Sequence, residues 1–192
     1  FELIASRFVT DSQVHVTGGG RLLVHKFSTL MAGRLWEHGD VDIKDSKVIV
    51  KQVLHQGGRL TTATSTVKSE EALTTGGASI FDAGSSVIAG TMRHISGQMK
   101  LTGKSHLVVA DKLVTQESAT ISSSQSIIKV PRLVAIGSLE LQESLLSTEE
   151  LAAYAKFKVT QSAVLAAKFI DLASTADAII QKSSLVSKEM TT

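Results

Sequence analysis

Three residues in the middle of the chain, Gly103-Lys104-Ser105, have the composition of the end of a phosphate-binding loop. Such a loop needs a second glycine five residues before the glycine that precedes the lysine, because its backbone amides surround the phosphates. The nearest earlier glycine, Gly97, lies one residue too far away. We therefore predict no nucleotide site and no cofactor.

The run His38-Gly-Asp40-Val-Asp42 contains residue types that bind metal ions. In a strand, Asp40 and Asp42 would lie on one face, because alternate side chains point the same way. No second cluster of ligands stands at a recognisable spacing, and no two of the six histidines are two or four residues apart. We predict no metal site. We expect the histidines to lie at surface positions.

An enzyme that cleaves polysaccharides needs several carboxylates gathered on one face of the molecule. Asp82 and Asp111 are isolated in the sequence, and the pairs Glu70-Glu71 and Glu149-Glu150 are far apart. Trp36 and Tyr154 are the only large amphipathic aromatic residues, and they suit packing at an edge or one contact surface. We predict no catalytic residues and no enzyme activity.

A serine recurs every 18 to 22 residues along almost the whole chain. This regular spacing indicates that the chain consists of about ten copies of one structural unit. Ser105 of the lysine motif belongs to this series, which gives it a structural explanation. The ten serines are Ser6, Ser28, Ser46, Ser65, Ser85, Ser105, Ser126, Ser144, Ser162 and Ser183.

The residue two places after each serine is apolar in all ten units. The residue four places after it is small or β-branched, and a second large apolar residue follows at seven or eight places. We interpret the first of these columns as a ladder that faces the core. Its members are Phe8, Leu30, Val48, Val67, Val87, Leu107, Ile128, Leu146, Val164 and Leu185.

A unit of about 20 residues is too short for a helical-hairpin repeat and is typical of one turn of a β-solenoid or one leucine-rich repeat. The chain has no asparagine, so the leucine-rich pattern is not met. Alternating runs that begin at a glycine, such as Gly97-x-Met99-x-Leu101, indicate a second strand after a corner. The sequence predicts an all-β parallel β-helix, or β-solenoid, of about ten coils in one unit spanning residues 1–192.

The segment after Leu139 is rich in Ala, Leu, Glu and Lys, and its composition alone favours helix. The serine series nevertheless continues through Ser144, Ser162 and Ser183. We predict that the solenoid continues to the end, and the alternative is a helical segment somewhere after residue 140.

Composition restricts the partners of the chain. The formal net charge of +2 and the few aromatic residues argue against nucleic-acid binding. The absence of cysteine excludes a disulfide scaffold, and no apolar run is long enough for a membrane span. The chain starts at Phe1 and stops in mid-coil, so we expect a fragment of a longer repeat protein. Unpaired strands at the ends of a solenoid predict end-to-end self-association.

The motifs S-S-V-I-A-G-T-M (85–92), S-H-L-V-V-A-D-K-L (105–113) and G-S-L-E-L-Q-E-S (137–144) resemble shaft repeats of filamentous-haemagglutinin-like exoproteins. These large bacterial adhesins and contact-dependent toxins leave the cell by two-partner secretion. The resemblance implies a right-handed β-helix and a non-catalytic, adhesive shaft that is secreted to the bacterial cell surface. It also implies a partner, either a receptor or a glycan, on a host or neighbouring cell.

Two other functions fit the same repeat pattern. The first is a cytoplasmic β-solenoid polymer of the bactofilin kind, which forms cytoskeletal filaments by stacking end to end. The second belongs to another class, a carbohydrate-active β-helix enzyme. A short, complete solenoid with disordered tails would favour the polymer, and loss of sugar cleavage on changing acids to alanine would favour the enzyme.

Overall fold

The computed structural model describes residues 1–192, which form 23 β-strands and no helix. The all-β prediction is therefore confirmed. The strands are β1 (Glu2–Ile4), β2 (Arg7–Val9), β3 (Gln13–Val16), β4 (Arg21–His25), β5 (Thr29–Glu37), β6 (Asp40–Lys44), β7 (Lys47–His55), β8 (Arg59–Ala63), β9 (Thr66–Thr75), β10 (Ala78–Asp82), β11 (Ser86–His94), β12 (Gly97–Leu101), β13 (His106–Val109), β14 (Lys112–Thr115), β15 (Ala119–Ser124), β16 (Ile127–Ala135), β17 (Ser138–Gln142), β18 (Leu145–Ala153), β19 (Phe157–Thr160), β20 (Ala163–Leu172), β21 (Ala178–Gln181), β22 (Ser184–Val186) and β23 (Glu189–Thr191).

These strands form two parallel sheets, and each coil of the chain contributes to both. The short-strand sheet has the order β1-β4-β6-β8-β10-β12-β15-β17-β19-β21. The long-strand sheet has the order β2-β5-β7-β9-β11-β13-β16-β18-β20-β22, and β3, β14 and β23 complete coils whose long strand is interrupted. Neighbours in each sheet are one coil apart in sequence, so the fold is a β-solenoid of about ten coils.

The core lies between the two sheets and contains a single cluster of 40 buried apolar residues. Each member of the sequence-predicted inward column pairs in register with the member in the next coil, as Val67 does with Val87 and Val87 with Leu107. Eight of the ten are at most 2% exposed, whereas Phe8 and Leu185 in the end coils are partly buried and pack against the cluster. The column is thus a continuous apolar ladder along the stacking direction.

The recurring serines lie at the corner where the short strand ends and the long strand begins. The Ser65 hydroxyl donates to the carbonyl of Ala63 at 2.6 Å and accepts the backbone N–H of Ser46 from the preceding coil at 3.1 Å. The intervening Thr64 has a φ of 52°, in the left-handed region. In all ten units the serine hydroxyl donates to a carbonyl two or three residues earlier, and the residue before the serine has positive φ.

Two further features change the direction of each coil. Halfway along the long strands a bulge leaves two successive side chains outside, and the register shifts there, for example between Ala89 and Thr91. At the end of the long strand a glycine commonly forms the second corner. Gly97 has a φ of 76°, and a Cβ there would overlap the carbonyl oxygen of Gly77 in the preceding coil, so glycine is required.

The helical alternative after residue 140 is wrong. Strand β18 buries Leu146, Thr148, Leu151 and Ala153 and places Glu149 outside at the bulge. The bulge changes the inward spacing from a strict two to two, three and two residues, so the first and last inward residues are seven apart, as on a helix face. Stacking on β16 and β20 overrides the helical propensity of the alanine and glutamate residues.

Replacing a member of the apolar ladder with a charged residue tests the inward column. Val87→Asp should reduce the free energy of unfolding by about 3–5 kcal/mol, because it buries an unpaired carboxylate between Val67 and Leu107. The matched control is Ser86→Asp, the outward neighbour on the same strand, which should change stability by about 0.5 kcal/mol or less. Urea unfolding followed by circular dichroism measures both, and equal midpoints would contradict the assigned orientation.

Candidate functional site

The residues His38, Asp40 and Asp42, weighed in the sequence as possible metal ligands, do not form a group that could hold a metal ion. Asp40 accepts the backbone N–H of Arg59 at 2.9 Å, and Asp42 lies 3.3 Å from His25 Nε2 on the outer face of the short-strand sheet. His38 lies elsewhere, beside Trp36. Nowhere in the chain do three or more His, Cys, Asp or Glu side chains form a group that could hold a metal ion.

The lysine motif is part of a corner. Lys104 is the positive-φ residue of its unit, with a φ of 65°, and the buried Ser105 hydroxyl donates to the carbonyl of Thr102 at 2.6 Å. The hydroxyl that would bind the Mg²⁺ ion in a nucleotide-binding loop is therefore already used by the fold.

Most of the acidic residues considered for catalysis lie on the outer surface at the bulge, which we call the ridge. Cations or amides from neighbouring coils pair with several of these acids: Arg132 contacts Asp111, Lys168 lies 2.8 Å from Glu149, and the Gln52 amide donates to Glu71 at 2.7 Å. The ridge comprises Arg34, Lys51, Gln52, Glu70, Glu71, Asp111, Arg132, Glu149, Glu150 and Lys168.

Asp82 lies away from the ridge, at the end of β10. A hydrogen bond from the Thr102 hydroxyl at 2.6 Å is the main reason that the pKa of Asp82 is lower than its usual value of 3.8. A general acid in glycoside cleavage requires the opposite shift, because it must hold a proton near neutral pH. Asp82 is therefore suited to hydrogen bonding between coils.

A column of polar side chains in the core was not predicted from the sequence. It occupies the last inward position of five successive long strands, nine or ten residues after the corner serine, and the members pair in register. All five side chains are completely buried. They are Glu37, His55, Thr75, His94 and Thr115.

The prediction of surface positions is wrong for two histidines, His55 and His94, because both belong to this column. The apolar columns of the repeat pattern end at the residue seven or eight places after the serine. Extending the alternation by one more inward position would have placed both histidines in the core. His15, His38 and His106 are exposed, as expected.

Glu37 and His55 form a buried pair at the second corner. His55 Nδ1 lies 3.2 Å from Glu37 Oε2, close enough for charge attraction, but its direction is poor for a hydrogen bond, and the Glu37 carboxylate has no other polar partner. Burial raises the pKa of Glu37 above its usual value of 4.5, and the nearby imidazole offsets part of this effect. The carboxyl group therefore retains its proton more readily in the folded chain.

His94 is better satisfied than the Glu37–His55 pair. Its Nε2 lies 3.2 Å from the carbonyl oxygens of Gly97 and Thr120, so Nε2 carries the proton in the neutral ring. Nδ1 then accepts the Thr75 hydroxyl at 2.9 Å. Burial lowers the pKa of His94 below 6.5, against the effect of its backbone hydrogen bonds. The ring is held neutral and out of contact with solvent, which fits a structural role.

The outer surface carries two further features. A shallow depression of about 340 Å³ crosses the short-strand sheet, lined mainly by polar residues such as Lys100, Ser122 and Gln142. Near the start of the rod, Trp36 stacks on His15 with ring centres 4.8 Å apart, and His38 lies 5.6 Å from the indole. His15 and Trp36 are one coil apart in sequence, so only the repeat register could have predicted their contact. Tyr154 is 45% exposed on another coil.

Removing the charge of Glu37 should change how stability depends on pH. Because its folded pKa is raised, Glu37 favours folding below about pH 4.5, and this contribution is lost as pH rises through the folded pKa. Glu37→Gln cannot titrate, so its stability relative to the parent should increase with pH above 4.5. Urea midpoints from pH 4 to 8 measure this. Glu71→Gln removes an exposed acid on the ridge and is the matched control. A pH profile of Glu37→Gln that runs parallel to that of the parent would refute the assignment.

His94 should have the opposite effect from Glu37 on the pH dependence of stability. Its depressed pKa gives stability that is fully present above pH 6.5 and is lost as pH falls toward the folded pKa. The slope contributed by one such group is at most about 1.4 kcal/mol per pH unit. His94→Thr matches the neighbouring column residues, so it should be less stable at pH 8 but lose less stability between pH 6.5 and 5.5. The same urea series tests this, and an unchanged slope would show that His94 does not cause it.

Comparisons of the chain with protein-family models, with curated proteins and with solved structures give no match. The structure contains no helix that is long and apolar enough to cross a membrane.

Proposed function

We propose that the chain is a non-catalytic shaft segment of a large secreted bacterial surface protein of the filamentous-haemagglutinin-like type. One observation carries the proposal. The same corner, with a serine hydroxyl and a left-handed residue, recurs in all ten units and keeps the coils stacked in a constant register. A regular stack of this kind forms a long and rigid rod, and it presents repeated contacts along one side.

The distribution of acidic residues supports a mechanical role more than an enzymatic one. Two adjacent acids on the ridge, Glu149 and Glu150, share Lys168 at 2.8 and 3.2 Å. Glu37, whose pKa is raised by burial, lies in the core and cannot contact a polymeric substrate. On the outer surface, hydrogen bonds from Thr102 and Lys168 lower the pKa of Asp82 and of Glu149, which is the opposite of what a general acid requires.

Self-stacking is a second candidate function, and the apolar side chains at the two ends of the stack favour it. Phe1 is 66% exposed at one end and Met190 is 47% exposed at the other. If the first coil of one copy stacked on the last coil of another, Phe8 would lie on Leu185 and extend the apolar ladder. Such stacking gives a filament by the same parallel pairing that joins the coils within the chain.

The purified 192-residue chain can distinguish these functions. The shaft predicts an elongated particle in small-angle scattering, oligomers of limited length at most, and no release of reducing sugars from acidic or neutral polysaccharides. Long filaments in negative-stain electron microscopy would favour the polymer, and saccharide cleavage would favour the enzyme. Leu185→Asp should abolish any end-to-end association, whereas its outward neighbour change Ser184→Asp should reduce it little. Association that survives Leu185→Asp would exclude stacking through this end.

A further inference from the structure

One outer surface of the rod contains no acidic residue. It consists of the outward positions one and three residues after each corner serine, on the first half of the long strands. These twenty positions hold no Asp or Glu, although the chain has 18 of them. They hold four cations, Arg7, Lys47, Lys68 and Lys129. We call this surface the acid-free face.

The acid-free face also carries more apolar side chains than is usual for a strand face that is exposed to water. A parallel strand with one face in the core is expected to carry mainly polar residues on a face open to water. Here Ile49, Ile88, Val108 and Leu145 point outward and are only half-buried, and Leu165 is 43% exposed. No other part of the chain covers them, because the long-strand sheet forms one side of the solenoid.

Exclusion of acids is a property of this face and not of the whole surface. The outer face of the short-strand sheet carries Asp40, Asp42 and Glu140 among its lysines and hydroxyls. The ridge carries Glu70, which borders the acid-free face and lies 3.4 Å from Lys68 in an exposed pair. The acid-free face therefore carries cations and aliphatic groups with no acid among them, whereas the ridge and the short-strand sheet carry both signs of charge.

We propose that the acid-free face docks on an anionic lipid surface, with the stacking direction of the coils parallel to the membrane. The lysine ammonium groups would contact lipid phosphates while their methylene stems lie beside the aliphatic side chains. Ile88, Val108 and Ile127 would enter the boundary between headgroups and acyl chains, which gives their apolar surface a partner. The inference depends on the fold and the outward residues and does not depend on the shaft role.

Lipid fits this face better than nucleic acid does. Four cations distributed over about ten coils give a low density of charge for a phosphate backbone, and the face has no Phe, Tyr or Trp ring on which bases could stack. Its aliphatic side chains would remain unpaired against a nucleic acid. A planar bilayer can contact every coil at once, so weak individual contacts add along the rod.

Co-sedimentation with vesicles tests the proposal, using phosphatidylcholine alone and phosphatidylcholine with about one-third phosphatidylglycerol. We expect binding to the anionic vesicles that weakens with salt, because each lysine near such a surface contributes about a fivefold gain in affinity. The triple variant Lys47→Glu, Lys68→Glu, Lys129→Glu should lose at least about 100-fold in affinity. Circular dichroism melting of each variant confirms that it folds.

The matched control reverses three lysines on the opposite face: Lys44→Glu, Lys100→Glu, Lys158→Glu. Both triple variants lower the formal net charge by six units, from +2 to −4, so a difference between them reports the face and not the total charge. The control should lose less than about tenfold. Equal loss in both variants, or retained binding in the first, would overturn the proposal, and so would a parent chain that ignores anionic vesicles.

A second variant examines the apolar contribution. Ile88→Thr with Val108→Thr keeps β-branched residues on exposed strand positions and leaves the charges unchanged. It should weaken binding to anionic vesicles about tenfold and increase the salt sensitivity of the remaining binding. Unchanged vesicle binding by this variant, or stronger binding of the parent to a DNA duplex than to the vesicles, would contradict insertion of the face into lipid.

Discussion

The corner where the short strand meets the long strand is the constraint on which the rest of the structure depends. Each corner needs one residue with positive φ, and in nine of the ten units that residue is not glycine. A side chain in this region costs roughly 1–2 kcal/mol, so each corner must be stabilised by its surroundings. The serine hydroxyl contributes by binding a carbonyl in its own coil, and in most units it also accepts an amide from the preceding coil. Stacking therefore stabilises the corner, and the corner fixes the register of the stack.

The buried polar column shows how much variation this register tolerates. In later coils the same position holds Ala135, Ala153 and Leu172, which only need to fill space. In earlier coils it holds groups that require partners, and the partners come from adjacent coils, as Thr75 does for His94. The pair Glu37 and His55 is the least well compensated, because each depends on the other alone. The column therefore places titratable side chains in the core of the first half of the rod, whereas the same position in the second half holds only apolar residues.

The sequence was sufficient for the architecture because the repeat is carried by residue types with a direct physical role. Serine at the corner and an apolar residue two places later predict the coil number, the period and the inward ladder. The left-handed residues could not be predicted, since Thr64, Gln125 and Glu143 are residue types that usually avoid that conformation. His94 was missed because a histidine is polar in a sequence but can be neutral and fully hydrogen-bonded in a core. The bulge could not be predicted from the sequence either. Its extra residue gives the inward side chains of β18 a spacing that is also typical of a helix face.

The inward and outward residues of each strand are subject to different constraints. Inward residues are restricted by the coils above and below, so they vary within narrow limits of size and polarity. Outward residues are free of that restriction, and a bias among them requires another cause. On the short-strand sheet the outward residues mix both signs of charge, as expected for a surface in water. On the acid-free face they do not, and half-buried Ile88 and Val108 lie among lysines. Strand propensity favours aliphatic residues over Asp and Glu, but it acts equally on the short-strand sheet, where acids do occur. We therefore assign the difference between the two outer faces to a surface that the rod contacts along its length.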